Sequence, residues 1–599
     1  MTRSSCTTTN NDTNDDENED YYDVKPFGML FFLFDSPAEK RKYLHSRRES
    51  LGDFFASFLD DRVLMNVLEH IDDAKTLAKF TMASKMCFQY ASFDSLWKKL
   101  YLNRFGLEEA DFRRCRNWKQ LYYVKANETT LTMKKKKTKV KKKMGCLYSD
   151  ALYLPKQINN LEIKKTWVES FTVPEIDCSS CEKRTLADEE SIESRFREEF
   201  ENKNRPVVLR GLAKEWRAIE KWKTNDALLN EYGDETFLVG GYRTSLNNYL
   251  SYCLRENDTD DSKLLLFDPK VAKEEMWTEN TEIFEEGGLF HNLFSKDGDY
   301  FKVLGEEKRP HYKWVIFGPN RSGSTFHVDP NGTSAWNAVL RGRKKWILFP
   351  NDEVPPGVFP SEDNASVVCP LTPLEWYENF YDTLLSCGDD DEGEETSKRA
   401  YHFQETICEA GDVIFVPSQW WHCVVNLPPE HDDQDQDEED RNVHLALTAN
   451  FVSRSNMPTV LKILDSKNSN LVSGYDDKTQ RRSLGEAFEK RMREMYPEIL
   501  EDARKQRART TKKEIAPPQK QKRVVASAKT TENANNVTKK PRGENANENN
   551  TKNKISTTTI FSQHQQEQYT SSFAFSFWAK EEETNDTTTQ ANTNNTNTF

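Results

Sequence analysis

The sequence predicts a multi-domain chain: a small all-α domain, then a larger, mainly β domain with flanking helices, between termini too polar to fold. Three observations predict it. Between Leu51 and Tyr123 apolar residues recur at helical spacing, with Val63, Leu64, Val67, Leu68 and Ile71 on one face. From about Arg205 they gather instead into short runs bounded by Gly and Pro, as in RPVVLRG, KLLLFDP, HYKWVIFGP and GDVIFVP, which is the pattern of buried strands. Residues 1–48 and 512–599 are dominated by Asn, Thr, Asp, Glu, Lys and Gln, a composition that cannot bury enough surface to order itself.

Composition agrees with a real core inside polar surroundings. Of the 599 residues 36% are hydrophobic and 12% aromatic, yet mean hydropathy is −0.84, and the two termini account for the difference. The net charge of −14 is unevenly spread, with acidic runs alternating with lysine runs, so it identifies no partner by itself. Eleven scattered cysteines, and an N-terminus without a basic stretch leading into an apolar one, point to a reducing, intracellular setting. The early apolar run Phe27–Phe34 is far short of the roughly 20 residues a membrane span needs, so no membrane association is expected.

Each element follows in order. The helical domain covers 51–123, where Leu77 and Phe80, then Trp97, Leu100, Tyr101 and Phe105, continue the helical pattern. A linker over 126–150 carries the lysine block Lys134–Lys143, which repels itself and stays solvated. The same block reads as a nuclear-import signal or a nucleic-acid patch, and TKKPRGE around Lys539–Arg542 leans the same way, so the nucleus is the expected compartment, with the cytoplasm also open. The β domain covers 153–460, its core about 290–452. Cys178 and Cys181 have metal-knuckle spacing, but no second pair completes a zinc site. Two acidic insertions, Asp389–Glu395 and Glu430–Asp440, are expected as solvated loops between strands. A helical segment over 461–511 packs back on the domain or extends from it, and the polar tail follows.

The candidate chemistry lies in RSGSTFHVDPNGTSAWNAVLRGRKKWILFP, from Arg321 to Pro350. His327 and Asp329 stand two apart in a predicted strand, so both side chains leave one face. His422 in VPSQWWHCVVNL is the candidate third ligand. Two histidines and one carboxylate with open positions form the facial arrangement of non-haem Fe(II) sites. Trp336–Leu340 and Arg343–Phe349 alternate, and Arg341-Gly342 between them suits a two-residue hairpin turn. That register pairs Val339 with Lys344 and Asn337 with Trp346. Lys344 is then either an interior cation that needs an anion or one more exposed charge. His422, Val424 and Asn426 share a face by parity, as do Thr448 and Asn450 in LALTANF.

The stretches GPNRSGSTFHVDPNGTSAWNAVLRGRKKWILFP and GDVIFVPSQWWHCVVNL resemble the JmjC family of Fe(II) and 2-oxoglutarate dependent oxygenases, within it the bifunctional arginine demethylase and lysyl-hydroxylase branch. The resemblance runs from about Arg205 to Phe451. It implies a double-stranded β-helix of the cupin type, with iron held by His327, Asp329 and His422. It also implies that Lys344 pairs with the distal carboxylate of 2-oxoglutarate, and that Asn337, Ser324 and Thr448 hydrogen-bond the cosubstrate. Ser324 stands where the branch carries threonine, which keeps the hydroxyl. Asn450 matches a position near the active site, and Asn426 and Ser334 are candidates for orienting the ligands. The implied reaction consumes O2 and 2-oxoglutarate and hydroxylates a C–H bond. On an N-methyl group the product collapses to formaldehyde; on a lysine side chain it stays as hydroxylysine. The acidic loops would favour a basic protein substrate such as a histone tail or an Arg/Ser-rich factor.

Separately, FLDDRVLMNVLEHIDDAKTLAKFTMASKMCFQYASFDSLWKKLYLNRFG resembles an F-box, the module that docks on the Skp1 adaptor of cullin-type ubiquitin ligases. It departs from the family where Asp60 and Asp61 replace the proline that usually opens the first helix. Two alternatives to a protein oxygenase follow: a ubiquitin-ligase substrate receptor that uses the β domain to bind its target, and a hydroxylase of RNA.

Overall fold

A computed structural model describes residues 23–25, positions 45, 48–49 and 51, and most of 61–515; the longest internal segments outside it are 128–145, 270–287, 387–400 and 430–437. The readings made of residues 1–22, of Lys134–Lys143, of Asp389–Glu395, of the acidic run before Glu438 and of the tail beyond Ile515 lie outside the described residues. Part of the polar N-terminus is not structureless: β1 (Asp23–Lys25) buries Val24.

From Asp61 on, the described residues form α1 (Asp61–Glu69), α2 (Ala74–Ala83), α3 (Lys85–Ala91), α4 (Asp94–Phe105) and α5 (Trp118–Asn127). Short polar residues start the middle ones: Asp73 accepts from the N–H groups of Lys75 and Thr76, and Ser84 from that of Cys87. Leu64, Leu68, Leu77, Trp97 and Tyr101 form their core. The helical domain is fastened to the β domain by a buried ion pair, in which Lys98 Nζ lies 2.8 Å from the Asp260 carboxylate. Tyr252 Oη and Trp118 Nε1 donate to that same carboxylate at 2.9 and 3.3 Å, so the buried charge is fully dressed.

Next comes β2 (Cys146–Tyr148), which pairs in parallel with β1. The β domain then runs through β3 (Glu175–Asp177), β4 (Val207–Arg210), β5 (Thr236–Val239), β6 (Tyr242–Ser245), β7 (Leu266–Asp268), β8 (Lys313–Pro319), β9 (Gly323–His327), β10 (Ser334–Arg341) and β11 (Arg343–Phe349). After a two-residue pairing of β12 (Phe359–Pro360) with β13 (Val367–Val368) come β14 (Gln404–Cys408), β15 (Val413–Val416), β16 (Trp421–Leu427) and β17 (Val443–Phe451). They form a nine-stranded sheet, ordered β3-β4-β15-β10-β17-β8-β7-β5-β6, and a four-stranded sheet, ordered β14-β11-β16-β9. From β8 to β11, and again from β14 to β17, successive strands alternate between the two sheets. That is the winding of a double-stranded β-helix. Ala335, Val339, Ile414 and Val416 from the larger sheet meet Trp346, Leu348, Cys408 and Val424 from the smaller one and fill the space between them.

This winding corrects the hairpin expectation. β10 pairs with β15 and β17, whereas β11 pairs with β14 and β16, so Arg341-Gly342 is a corner between sheets. Asn337 therefore lies opposite Ile414 and Thr448, and Lys344 opposite Cys408 and Asn426. Alternation reports which residues share a face but not which strand lies alongside. Asn337 and Lys344 still share the interior, from opposite walls. The corner needs glycine, because Gly342 has φ +82° and a side chain there would run into the ring of His444. The acidic run also ends differently from expectation. Glu438–Arg441 is a short helix, and buried Asp440 accepts from the N–H of Asn225 at 2.6 Å.

After the last strand, α6 (Met457–Leu464), α7 (Lys478–Met495) and α8 (Pro497–Ile515) fold back on the β domain. Pro497 cannot continue α7 and opens α8 instead. Val460, Leu461, Leu484, Phe488 and Met492 pack with Tyr300, Phe301 and Val452 in one cluster. Among the described residues no helix is long and apolar enough to cross a membrane.

Candidate active site

Strand pairing assembles the first group of candidates. His327, the last residue of β9, lies directly opposite His422 on β16, and their ring centroids are 4.2 Å apart. Asp329 follows two residues later, at the start of the turn Pro330–Gly332. Among the described residues these three form the one group of His, Cys, Asp or Glu poised for a metal, each offering an atom within 4.8 Å of the others. Each histidine fixes its own tautomer: Nδ1 bonds to the carbonyl two residues earlier, Thr325 at 2.8 Å and Trp420 at 3.0 Å, which leaves Nε2 as the nitrogen able to take a metal. Burial pushes both imidazoles down to about 4, and their mutual repulsion adds to the effect at His327, so both are neutral as metal ligands must be. Burial raises the Asp329 carboxyl to about 6, against the opposing pull of His327 and Asn450. Asn450 Nδ2 donates to Asp329 Oδ1 at 3.4 Å, while Oδ2 is buried without a hydrogen bond. A buried carboxylate oxygen with nothing to accept from is a place for a cation.

Ser324 reaches the interior only because β9 is irregular. Strict alternation from His327 would turn residue 324 outward. The register, however, runs from His422↔His327 to Val424↔Ser324, so Thr325 and Phe326 together oppose Cys423. This bulge brings Ser324 back to the face of Val424, which belongs to the interior cluster.

At the other end of the interior, Lys344 is 3% exposed. Its Nζ donates to Asn426 Oδ1 at 2.7 Å, and Asn426 Nδ2 donates to Ser322 Oγ at 2.9 Å. Burial lowers the lysine to about 7, and Cys408 beside it offers no charge because burial pushes that thiol far up. A buried ammonium held by one amide and no carboxylate lacks its anion. Leu348 pairs with His422 and Lys344 with Asn426, so the lysine lies four residues, roughly 13 Å, along β11 from the histidines. The acceptor Asn337 Oδ1 is buried without a partner, and Thr448, opposite it, donates to the Trp336 carbonyl at 2.6 Å. A short dicarboxylate chelating at the histidine end and reaching Lys344 with its far carboxylate would meet these groups. The residues fit Fe(II) and 2-oxoglutarate.

Two expectations about supporting residues need correcting. Asn426 holds Lys344 rather than a metal ligand, and Ser334 accepts from Asn456 Nδ2 at 3.1 Å, away from the histidines. Asn450 is the residue that touches Asp329. The sequence reading also missed His444, buried where its Nε2 and Nδ1 meet Asn320 Oδ1 and the N–H of Arg343, although parity with Thr448 marked it as interior.

Comparison with known proteins agrees with this fold. A family profile described as a cupin-like domain matches residues 193–457. The arginine-specific demethylase JMJ22 of Arabidopsis thaliana is 34% identical over 483 residues, covering 80% of this chain and 83% of that protein. The lysine-specific demethylase JMJ21 of the same plant is 30% identical over 421 residues, covering 68% of this chain and 38% of that protein. The bifunctional arginine demethylase and lysyl-hydroxylase psr-1 of Caenorhabditis elegans is 30% identical over 321 residues, covering 51% of this chain and 67% of that protein. With a relative matched over most of both chains, and with a wound β domain that brings two histidines, a carboxylate and an anion-seeking lysine into one interior, the chain belongs to the cupin-like JmjC family of iron- and 2-oxoglutarate-dependent oxygenases.

Proposed function

We propose that this oxygenase acts on a basic side chain of a protein, removing methyl groups from N-methylarginine as its first reaction and hydroxylating lysine as the alternative. The observation that carries the oxygenase site is the buried, anion-less Lys344 sharing an interior with His327, Asp329 and His422. The choice of arginine rests on JMJ22, whose match is longer than the chain from Tyr153 onward and so takes in part of the helical domain. Iron and 2-oxoglutarate, when bound, supply the oxidative decarboxylation that yields succinate and CO2 and places one oxygen of O2 on a C–H bond. His327, Asp329 and His422 would hold the metal, and Asn450 would keep the carboxylate turned toward it. Lys344, steadied by Asn426, would neutralise the far carboxylate of the cosubstrate, with Asn337, Ser324 and Thr448 along its sides. Trp346, Leu348 and Val424 wall the interior against water. On an N-methyl substrate the C–N bond of the hydroxymethyl product breaks, formaldehyde leaves and the hydroxyl proton passes to the nitrogen.

Succinate formation with Fe(II), scored against peptides carrying dimethylarginine or unmodified lysine, tests this reading. Formaldehyde release is expected with the first, and a gain of one oxygen in peptide mass with the second is the alternative. Equal succinate from the parent and from Asp329→Ala would refute the metal assignment.

A second role is favoured by one observation: the helical domain, packed on the β domain through Lys98, keeps Val67 and Met82 exposed, at 44% and 83%. We propose that this face docks a Skp1-type adaptor and that the β domain presents the target. Copurification with Skp1, lost in Val67→Asp, is the expected result; copurification unaffected by that change rules the face out. Nuclear residence is proposed from the lysine block Lys134–Lys143 and the weaker cluster around Lys539–Arg542. An RNA substrate would show as succinate formation driven by RNA and not by peptides.

A further inference from the structure

The turn that carries Asp329 is tied to a part of the chain far from the β-helix. Asn331, two residues beyond Asp329, is 4% exposed and sits in the left-handed region at φ 58°, ψ 13°. Its side-chain amide makes a reciprocal pair of hydrogen bonds with one residue of the C-terminal segment: Nδ2 donates to the Ser473 carbonyl, and Oδ1 accepts from the Ser473 N–H, each at 3.0 Å. The segment is itself anchored. The Gly474 carbonyl accepts from the His311 N–H at 2.7 Å, Tyr475 Oη donates to the Lys308 carbonyl at 2.8 Å, and Val472 and Tyr475 are buried in the cluster built by α7 and α8. The rest of the turn is gripped from two other directions. Gly332 sits so close to α6 that a side chain would press on Ile463 and Thr459, and its carbonyl accepts from Ser418 Oγ at 2.7 Å, in the turn that leads to His422.

Resting on the reading of His327, Asp329 and His422 as metal ligands, we infer that Asn331 is a positioning residue, through which the C-terminal segment around Ser473 sets the Asp329 carboxylate for the metal. A left-handed residue in a three-residue turn costs backbone energy, and asparagine tolerates it better than most side chains. The two amide bonds give that conformation its counterweight. If they are lost, what remains is the grip on Gly332, the bonds from Thr333 to the Pro330 carbonyl and the long Asn450 bond to Asp329, so the Asp329 end gains freedom while the strands bearing the histidines remain paired. The C-terminal helices are thus part of the metal site's support.

The test is Co(II) titration of the full-length protein, followed by the visible absorption of the bound ion. Asn331→Gly accepts the left-handed backbone but deletes both amide bonds, and Asn331→Asp keeps the acceptor for the Ser473 N–H while setting an oxygen against the Ser473 carbonyl. Both are expected to bind Co(II) about ten- to a hundredfold more weakly than the parent, the range for groups that orient metal ligands, with a changed absorption spectrum. The near-ultraviolet circular dichroism of the metal-free protein should stay as in the parent. Failure of the parent itself to bind Co(II) would sink the metal reading. A parent that binds, beside folded variants with the same affinity and spectrum, overturns the role of Asn331. Should Asn331→Gly fail to fold, Asn331→Asp alone decides between these outcomes.

Discussion

Replacing Lys344 by methionine should separate what this residue does for the fold from what it does for the cosubstrate. In the absence of an anion, burial holds the ammonium at about 7, against an ordinary 10.5. That depression corresponds to roughly 5 kcal/mol of destabilisation of the metal- and cosubstrate-free protein at 1.36 kcal/mol per pKa unit. Its sign follows from linkage. Below pH 7 the lysine is protonated folded or unfolded, and the full cost is present. Between pH 7 and 10.5 the unfolded chain binds more protons, so stability rises by about 1.4 kcal/mol per pH unit, and above 10.5 the cost is gone. Methionine is similar in shape and uncharged, but leaves Asn426 Oδ1 without its donor, at about 1–3 kcal/mol. Lys344→Met is therefore expected to stabilise the free protein by roughly 2–4 kcal/mol at pH 6, less at pH 8, and to lose the gain between about pH 8.5 and 10. The same change should weaken 2-oxoglutarate binding about a hundredfold or more, because the far carboxylate would be buried unpaired. Urea unfolding at these pH values, beside 2-oxoglutarate titration of the Mn(II)-loaded protein, measures both. A variant less stable than the parent at pH 6, or one that binds the cosubstrate normally, would refute the assignment of Lys344 as an interior cation awaiting an anion.

Three further outcomes are expected. Because a bound carboxylate restores the charge on Lys344, 2-oxoglutarate binding should take up a proton above pH 7 and weaken about tenfold per pH unit there, while staying flat from pH 6 to 7; calorimetry in buffers of different ionisation enthalpy would detect the proton, and a constant affinity from pH 7 to 9 contradicts the argument. Lys98→Met should cost roughly 3–5 kcal/mol by stranding Asp260, read as a lower unfolding midpoint and faster proteolysis between the helical and β domains. Gly342→Ala should destabilise by roughly 2–4 kcal/mol, because φ +82° and the ring of His444 both oppose a side chain, and circular dichroism melts against a conservative control at exposed Val67 would show it.

The helical domain and the strands were legible because their signals are local. Val413–Val416 is a strand with the bounds its apolar run marked, and residue type and spacing singled out His327, Asp329 and His422, which the fold brings together, while they left Lys344 open between interior and surface. The neighbour relations were not. The Arg341-Gly342 turn looks like a hairpin from its residues, and the polar start of the chain gives no sign that Val24 is buried, because pairing partners far along the chain decide both.

The sequence by itself determined the alternation of the regular strands and the candidate His/Asp set, since side-chain chemistry and alternation are written residue by residue. Only the tertiary structure decided that β10 and β11 belong to opposite walls, that a bulge returns Ser324 to the interior, that Asn450 and not Asn426 attends Asp329, and that Ser473 braces the turn beyond it. Those are contacts between residues some 80 to 140 positions apart, and packing two wound sheets and a helical buttress around one interior is what brings them within hydrogen-bonding distance.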